Sequence, residues 1–267
     1  ANQREHALDL SGYNWVRISV TGTKGSHGHY AAAFNLDVYD ASAGGLDNWL
    51  FLGDSITAAA MTHRGTADGG AWTGGDYAQL VHAAAPVYYP LQINGGVGGW
   101  TSATGAANIT ALMANFHGHF VSLAFGTNDA NHGYPLSTAQ IQAYYANMLT
   151  MIDAAQGTGA VVVVPYVPWG CKGYLGQNAW ALNSYVNAHL PADRPRTVRG
   201  PDLWTAFSRH PSWMLPDCIH PSPSAPNGQL SGLEQYQRVW AQWAVATIYR
   251  PNAPAARPSP TSAGFSR

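Results

Sequence analysis

The chain has 267 residues, 46% of them hydrophobic, enough to bury the core of one large α/β domain with an appendage. Charged residues make up only 10% and the formal net charge is -1, so there is no field to attract a nucleic acid or an anionic membrane. No apolar run approaches the roughly 18 residues of a spanning helix, and Ala1 to His6 has no signal-peptide hydrophobic stretch.

Two short alternating segments come first, Asn14 to Val20 and Phe34 to Tyr39, joined by a Gly-rich stretch. Their period and β-branched content predict strands. Two strands are marginal alone, so residues 1–45 read as a small β appendage or the remnant of a β-sandwich. His27 and His29, with His6 nearby, offer a weak His-x-His metal signal with no matching carboxylate or cysteine cluster, and an exposed loop is the preferred reading.

After Gly44-Gly45 strands alternate with helices. The spacing predicts a strand at Trp49 to Leu52, a helix from Asp76 to Ala84, a strand from Val87 to Ile93 and a helix from Thr101 to Phe116. A strand from Phe120 to Phe125 and a helix from Ser137 to Gln156 follow. In that helix Ile141, Tyr144, Tyr145, Met148, Leu149, Ile152 and Ala155 recur at helical spacing, one apolar stripe. Val161 to Val164 is a β-branched run suited to a parallel strand covered on both faces. Helices at Ala179 to Leu190 and Gly232 to Tyr249 complete residues 46–250. This alternation predicts a three-layer α/β/α sandwich around a mostly parallel sheet. Residues 251–267 are Pro- and Ser-rich and read as a tail or linker.

The junction after Leu52 carries Gly53-Asp54-Ser55-Ile56-Thr57. A serine at the carboxyl end of a strand is a candidate nucleophile where ligands bind in open α/β sheets. On the pentapeptide alone, a helix N-cap is an equally good reading of Asp54-Ser55. Three further segments follow predicted strands or precede the last helix: Asn94 to Thr101, Gly126-Thr127-Asn128-Asp129, and Asp217-Cys218-Ile219-His220-Pro221. The glycines from Gly95 to Gly99 lack the Gly-Lys-Ser/Thr of a phosphate loop and the spacing of a dinucleotide fingerprint. Gly-x-Ser-x-Gly, the elbow of α/β-hydrolases, is absent around Ser55.

In order and approximate spacing, these four segments resemble the SGNH (GDSL-type) hydrolases over roughly residues 47 to 249. The resemblance implies a flavodoxin-like sheet and a serine esterase without metal or organic cofactor. It assigns Ser55 as nucleophile, His220 as base and Asp217 as the acid that orients it. The backbone N–H groups of Ser55 and Gly99 and the side-chain amide of Asn128 become the oxyanion donors. Each role has a physical basis. A neutral serine needs a base, the imidazole needs an orienting carboxylate, and a glycine lets backbone approach substrate closely. Trp100 departs from the acidic residue often found after the second-block glycine, a change to the pocket wall.

Cys171 follows the Val161 to Val167 segment and Cys218 lies inside the Asp217 to His220 turn, so both loops border one cleft and a disulfide between them is the expectation. Trp72, Trp100, Tyr134, Trp169 and Trp213 fall in segments around that cleft, and aromatic platforms suit sugar faces. The expectation is therefore a secreted enzyme, its signal removed, that deacetylates carbohydrate esters. The alternatives are a lipase or arylesterase acting on short acyl esters, an acyltransferase, and a carbohydrate-binding module on an inactive scaffold. Nothing in the sequence fixes the oligomeric state.

Overall fold

The computed structural model describes residues 47–62, 74–114, 116, 118–224 and 229–249. The strands expected at 14–20 and 34–39, the histidines His6, His27 and His29, Trp72 and the Pro-rich tail lie outside the described residues.

Among the described residues five parallel strands form one sheet, ordered 2-1-3-4-5 when numbered along the chain. They are β1 (Asn48–Gly53), β2 (Leu91–Gly96), β3 (Phe120–Ala124), β4 (Val161–Val164) and β5 (Val198–Arg199). Eight α-helices accompany them among the described residues: α1 (Ser55–Ala60), α2 (Tyr77–Ala84), α3 (Ser102–Met113), α4 (Thr127–Ala130), α5 (Thr138–Gly157), α6 (Gly173–Asp193), α7 (Leu203–Ser208) and α8 (Gly232–Thr247). The strand order is that of flavodoxin-like doubly wound sheets, whose ligands bind beyond the carboxyl ends of the strands.

The sequence of β1 explains the layering. It pairs with β2 on one side and β3 on the other, and all six of its residues are buried. Alternation sends Leu50 and Leu52 to one face, where they join Ile109, Met113, Met148 and Ile152 from α3 and α5. Trp49 and Phe51 face the other way, against Tyr77, Val81 and Trp240 from α2 and α8. The Trp49 indole stacks on Phe120 at 4.5 Å and meets Trp240 edge-on at 6.2 Å. Removing a fully buried aromatic at such a site costs about 3–5 kcal/mol.

Capping boxes start three of the helices: Asp76 with Gln79 on α2, Ser137 with Gln140 on α5, and Ser231 with Glu234 on α8. Each satisfies two backbone donors at a helix start. The stripe on α5 is buried at Tyr144, Tyr145, Met148, Ile152 and Ala155, joined by Met151, whereas Ile141 and Leu149 are only partly covered.

Several boundaries differ from the sequence reading. β2 starts at Leu91 rather than Val87, because Pro90 has no N–H for the ladder; Val87 is left 87% exposed. α6 begins six residues earlier than Ala179, at Gly173. α3 ends at Met113 and α8 at Thr247, each short of the expected end. β5 and α7 are not foreseen at all, being only two and six residues long.

Candidate active site

Ser55 is the first residue of α1, directly beyond the last residues of β1. The tight passage from strand to helix depends on Gly53, since a Cβ there would collide with Thr57 and with the carbonyl of Ala124. Asp54, not Ser55, is the N-cap: its Oδ1 accepts the backbone N–H of Ile56 at 2.9 Å. The Ser55 hydroxyl is thereby left for another partner.

That partner is His220, whose Nε2 lies 2.8 Å from Ser55 Oγ. On the opposite side of the ring, Nδ1 is 2.7 Å from Asp217 Oδ2. The second carboxylate oxygen of Asp217 accepts the backbone N–H groups of Ile219 and His220 at 2.9 and 3.0 Å. Burial pushes the Asp217 carboxyl up, but the hydrogen bonds from His220 and Ile219 outweigh it and bring the pKa down to about 2. The carboxylate is ionised at any ordinary pH. His220 and Asp217 are 36% and 42% exposed, so their pairing matters for orientation rather than for stability.

The turn holding this pair is fastened from three directions. Leu215 N–H donates to the His220 carbonyl at 2.7 Å, and Met214 bridges Pro221 in antiparallel fashion. At the base of this hairpin, Ser222 N–H donates to the carbonyl of Trp213, and Leu233 N–H, at the start of α8, donates to the carbonyl of Ser222. Cys218, at φ +61, occupies the left-handed region that non-glycine residues seldom adopt. Cys218 is joined to Cys171 by a disulfide.

A second set of contacts ties the strand ends of β2 and β3 together. The Asn128 amide donates to the Trp100 carbonyl at 2.8 Å, and Asp129 accepts the backbone N–H and hydroxyl of Ser102 at 2.9 and 2.6 Å. Gly99 has φ +77, which a side chain would oppose, and the space where its Cβ would stand is open. Gly126, at φ +132, starts α4 where a Cβ would strike Val167.

Beneath this set lies Asp54, 1% exposed. Its Oδ2 is buried beside Thr127 without a hydrogen bond of good geometry. Desolvation raises its pKa to about 6, against the lowering effect of the Ile56 N–H. No chemical role attaches to Asp54 in the sequence reading beyond the cap; its carboxyl is buried among Ile56, Thr127, Asp129 and His220.

The structure thus brings Ser55, His220 and Asp217 into one hydrogen-bonded chain, and links Asn128 to the loop of Gly99 and Trp100. The aromatic residues are more scattered. Trp100 is partly buried and packs on the core. Trp213 packs against His210 and Phe207, with ring centroids at 4.1 and 5.5 Å. Tyr134 stands 59% exposed on the loop after α4. Trp169 lines a cleft with Trp180 and Trp204, two indoles the sequence reading did not single out. Among the described residues no cluster of metal-ligating side chains occurs and no helix is long and apolar enough to cross a membrane.

A parallel 2-1-3-4-5 sheet with a serine at the end of its central strand, hydrogen-bonded to a histidine and through it to an aspartate, has the architecture of a carboxylic ester hydrolase of SGNH type. Residues 51–225 match the GDSL-like lipase/acylhydrolase family, and the chain belongs to it. Solved structures of the same fold include TesA, with 22% identity over 75% of this chain and 97% of its own, at a TM-score of 0.54. The psychrotrophic esterase EstA from Pseudoalteromonas sp. matches at 16% identity, 76% and 97% coverage and a TM-score of 0.53. Axe2, an acetylxylan esterase from Geobacillus stearothermophilus, matches at 17% identity, 76% and 94% coverage and a TM-score of 0.50. At these identities the likeness is one of fold. No curated protein sequence matches the chain.

Proposed function

We propose that the protein removes short acyl groups, acetyl first among them, from carbohydrate esters through an acyl-enzyme on Ser55. In this reading Ser55 Oγ attacks the ester carbonyl carbon while its proton passes to Nε2 of His220. Asp217 holds Nδ1–H and stabilises the imidazolium. The negative charge on the former carbonyl oxygen is met by the N–H groups of Ser55 and Gly99 and the amide of Asn128. The imidazolium then gives its proton to the departing sugar hydroxyl. Water repeats the sequence, releasing the carboxylic acid and restoring the serine.

The observation that carries the mechanism is the continuous contact from Ser55 Oγ through both ring nitrogens of His220 to Asp217, at 2.8 and 2.7 Å. The substrate class draws support from a surface poor in charge and from aromatic residues on the strand-end loops. The fold shared with an acetylxylan esterase is consistent with it. We further read residues 46–250 as the hydrolase domain, 1–45 as an appendage and 251–267 as a linker, in a secreted protein; the disulfide suits an oxidising compartment.

The test compares rates on acetylated xylan, acetylated monosaccharides and aryl esters from acetate to laurate. Preference for the acetylated sugars is expected. Preference for long acyl chains would overturn the carbohydrate reading in favour of a lipase, the activity named in the family's own description. Labelling by a fluorophosphonate, abolished in Ser55→Ala, separates an enzyme from an inactive binding scaffold.

A further inference from the structure

Trp169, Gly173, Gly176, Gln177, Trp180 and Trp204 enclose a cleft of about 360 Å³ open to solvent. Its residues come from the loop after β4, one face of α6 and the start of α7. Trp180 and Trp204 meet at 4.8 Å with planes tilted by 50°. The Trp204 indole N–H donates to the Gly176 carbonyl at 2.9 Å, which fixes its ring. Gly176 also makes room for the third indole, since a Cβ there would sit 2.5 Å from Trp169 Nε1. Two glycines in the first turns of a helix weaken it; here Gly176 lets an indole close onto the backbone, whereas a Cβ at Gly173 would meet open space.

We propose that this cleft is a subsite for a neutral pyranose unit of a polysaccharide whose ester is presented to Ser55; the proposal rests on the carbohydrate-ester reading above. Three features of the lining fit a sugar. It contains no charged side chain, so no ion pair draws a charged ligand into it. Three of its six lining residues are tryptophans, and the C–H face of a pyranose can lie on an indole ring. The Gln177 amide supplies both a donor and acceptors for hydroxyl groups, in keeping with pockets that combine apolar walls with few polar groups. Trp180 is 49% exposed although it is a large aromatic, and an open cleft with exposed rings is a poor sheath for a long acyl chain.

The cleft is also mechanically continuous with the catalytic turn. Trp169 is followed by Gly170, which packs against the Cys218 carbonyl so that a Cβ would lie 2.8 Å from that oxygen. Cys171 comes next and is bonded to Cys218, two residues before His220. The wall of the cleft and the turn that carries the imidazole are therefore parts of one cross-linked loop pair.

The test has two arms. In the first, Ser55→Ala protein is titrated by calorimetry with xylohexaose and, separately, with laurate, with and without Trp180→Ala. Trp180 is half-exposed on an outer helix, so its removal leaves the core intact, and Trp180→Phe keeps a ring as the conservative variant. In the second, the ratio of kcat/KM on acetylated xylan to that on an aryl acetate is compared between the wild type and Trp180→Ala. The expected results are binding of xylohexaose that weakens about tenfold in Trp180→Ala, a similar fall in the ratio, and recovery of both in Trp180→Phe. Deacetylation of xylan with binding and ratio both unmoved by Trp180→Ala would overturn the subsite while leaving the carbohydrate-ester reading intact. Xylohexaose binding through Trp180 in a protein that leaves acetylated xylan untouched would keep the subsite and remove the reading. Laurate bound in preference to xylohexaose would overturn the subsite.

Discussion

Gly232, the first residue of α8, lies against the carbonyl oxygen of Trp213 so closely that a Cβ would overlap it and would also crowd the N–H of Ser222 at 2.7 Å. These are backbone atoms at the base of the hairpin that carries Asp217 and His220. They cannot swing aside as a flexible side chain would. Gly232→Ala should therefore push the hairpin away from α1 and weaken the Ser55–His220 contact. The expected outcome is a loss of kcat/KM of at least tenfold with a lowered Tm, checked by steady-state kinetics and thermal unfolding. Wild-type kinetics in Gly232→Ala would show that α8 does not set the hairpin's position.

Asn128 gives a second prediction. One amide hydrogen is engaged by the Trp100 carbonyl at 2.8 Å, which leaves the other for a substrate oxyanion. Asn128→Ala should fold normally and turn over a hundredfold or more slowly, a loss of about 3–4 kcal/mol of transition-state stabilisation. The loss should fall on kcat with little change in KM, measured on an aryl acetate.

Asp54 predicts a pH dependence of stability. Its pKa is raised to about 6 in the folded protein by burial, against an ordinary value of 3.8. Below pH 4 both folded and unfolded chains carry the proton, and there is no penalty. As pH rises from 4 to 6 the unfolded chain loses the proton first, so stability falls. Above pH 6 the cost is complete, at about 3 kcal/mol by the size of the shift. Asp54→Asn keeps a capping side chain and removes this cost. Its Tm relative to the wild type should rise between pH 4 and pH 8. Asp47, raised to about 6 by burial against the lowering effect of His119, is untouched by the substitution and leaves a residual slope in both proteins. A Tm difference independent of pH would refute the assignment.

The disulfide closes a separation of 47 residues. The chain-entropy account assigns such a loop about 4 kcal/mol. Cys171→Ser with Cys218→Ser should lower Tm accordingly. Because Cys218 sits at φ +61 inside the catalytic turn, activity should fall even at temperatures where the variant stays folded. Rates measured well below Tm separate the two effects.

Much of this architecture is legible in the sequence because its determinants are local. The run from Trp49 to Leu52 and the β-branched Val161 to Val164 announce central strands, and the offset between Asp217 and His220 places both on one turn. What escapes is decided across the fold. Val87, Tyr88 and Tyr89 have strand-like side chains, yet the ladder starts only after Pro90, where Leu91 N–H finds the Asp47 carbonyl at 3.0 Å. Gly173 and Gly176 argue against a helix locally, while the indoles of Trp169 and Trp204, packed onto Gly176 and its carbonyl, hold Gly176 inside one. The pairing of Trp180 with Trp204 joins α6 to α7, and α7 is too short to show a period.

The acid and base ride together on one hairpin with two residues between them, whereas the serine opens α1, just beyond the end of β1. Small displacements of that hairpin therefore act as a clutch. They disengage the hydroxyl from the imidazole while the imidazole keeps its carboxylate. An enzyme slackened in this way would retain the far-downfield proton resonance of its Nδ1–H and yet resist a fluorophosphonate, and its spectrum and its reactivity would report two separate joints.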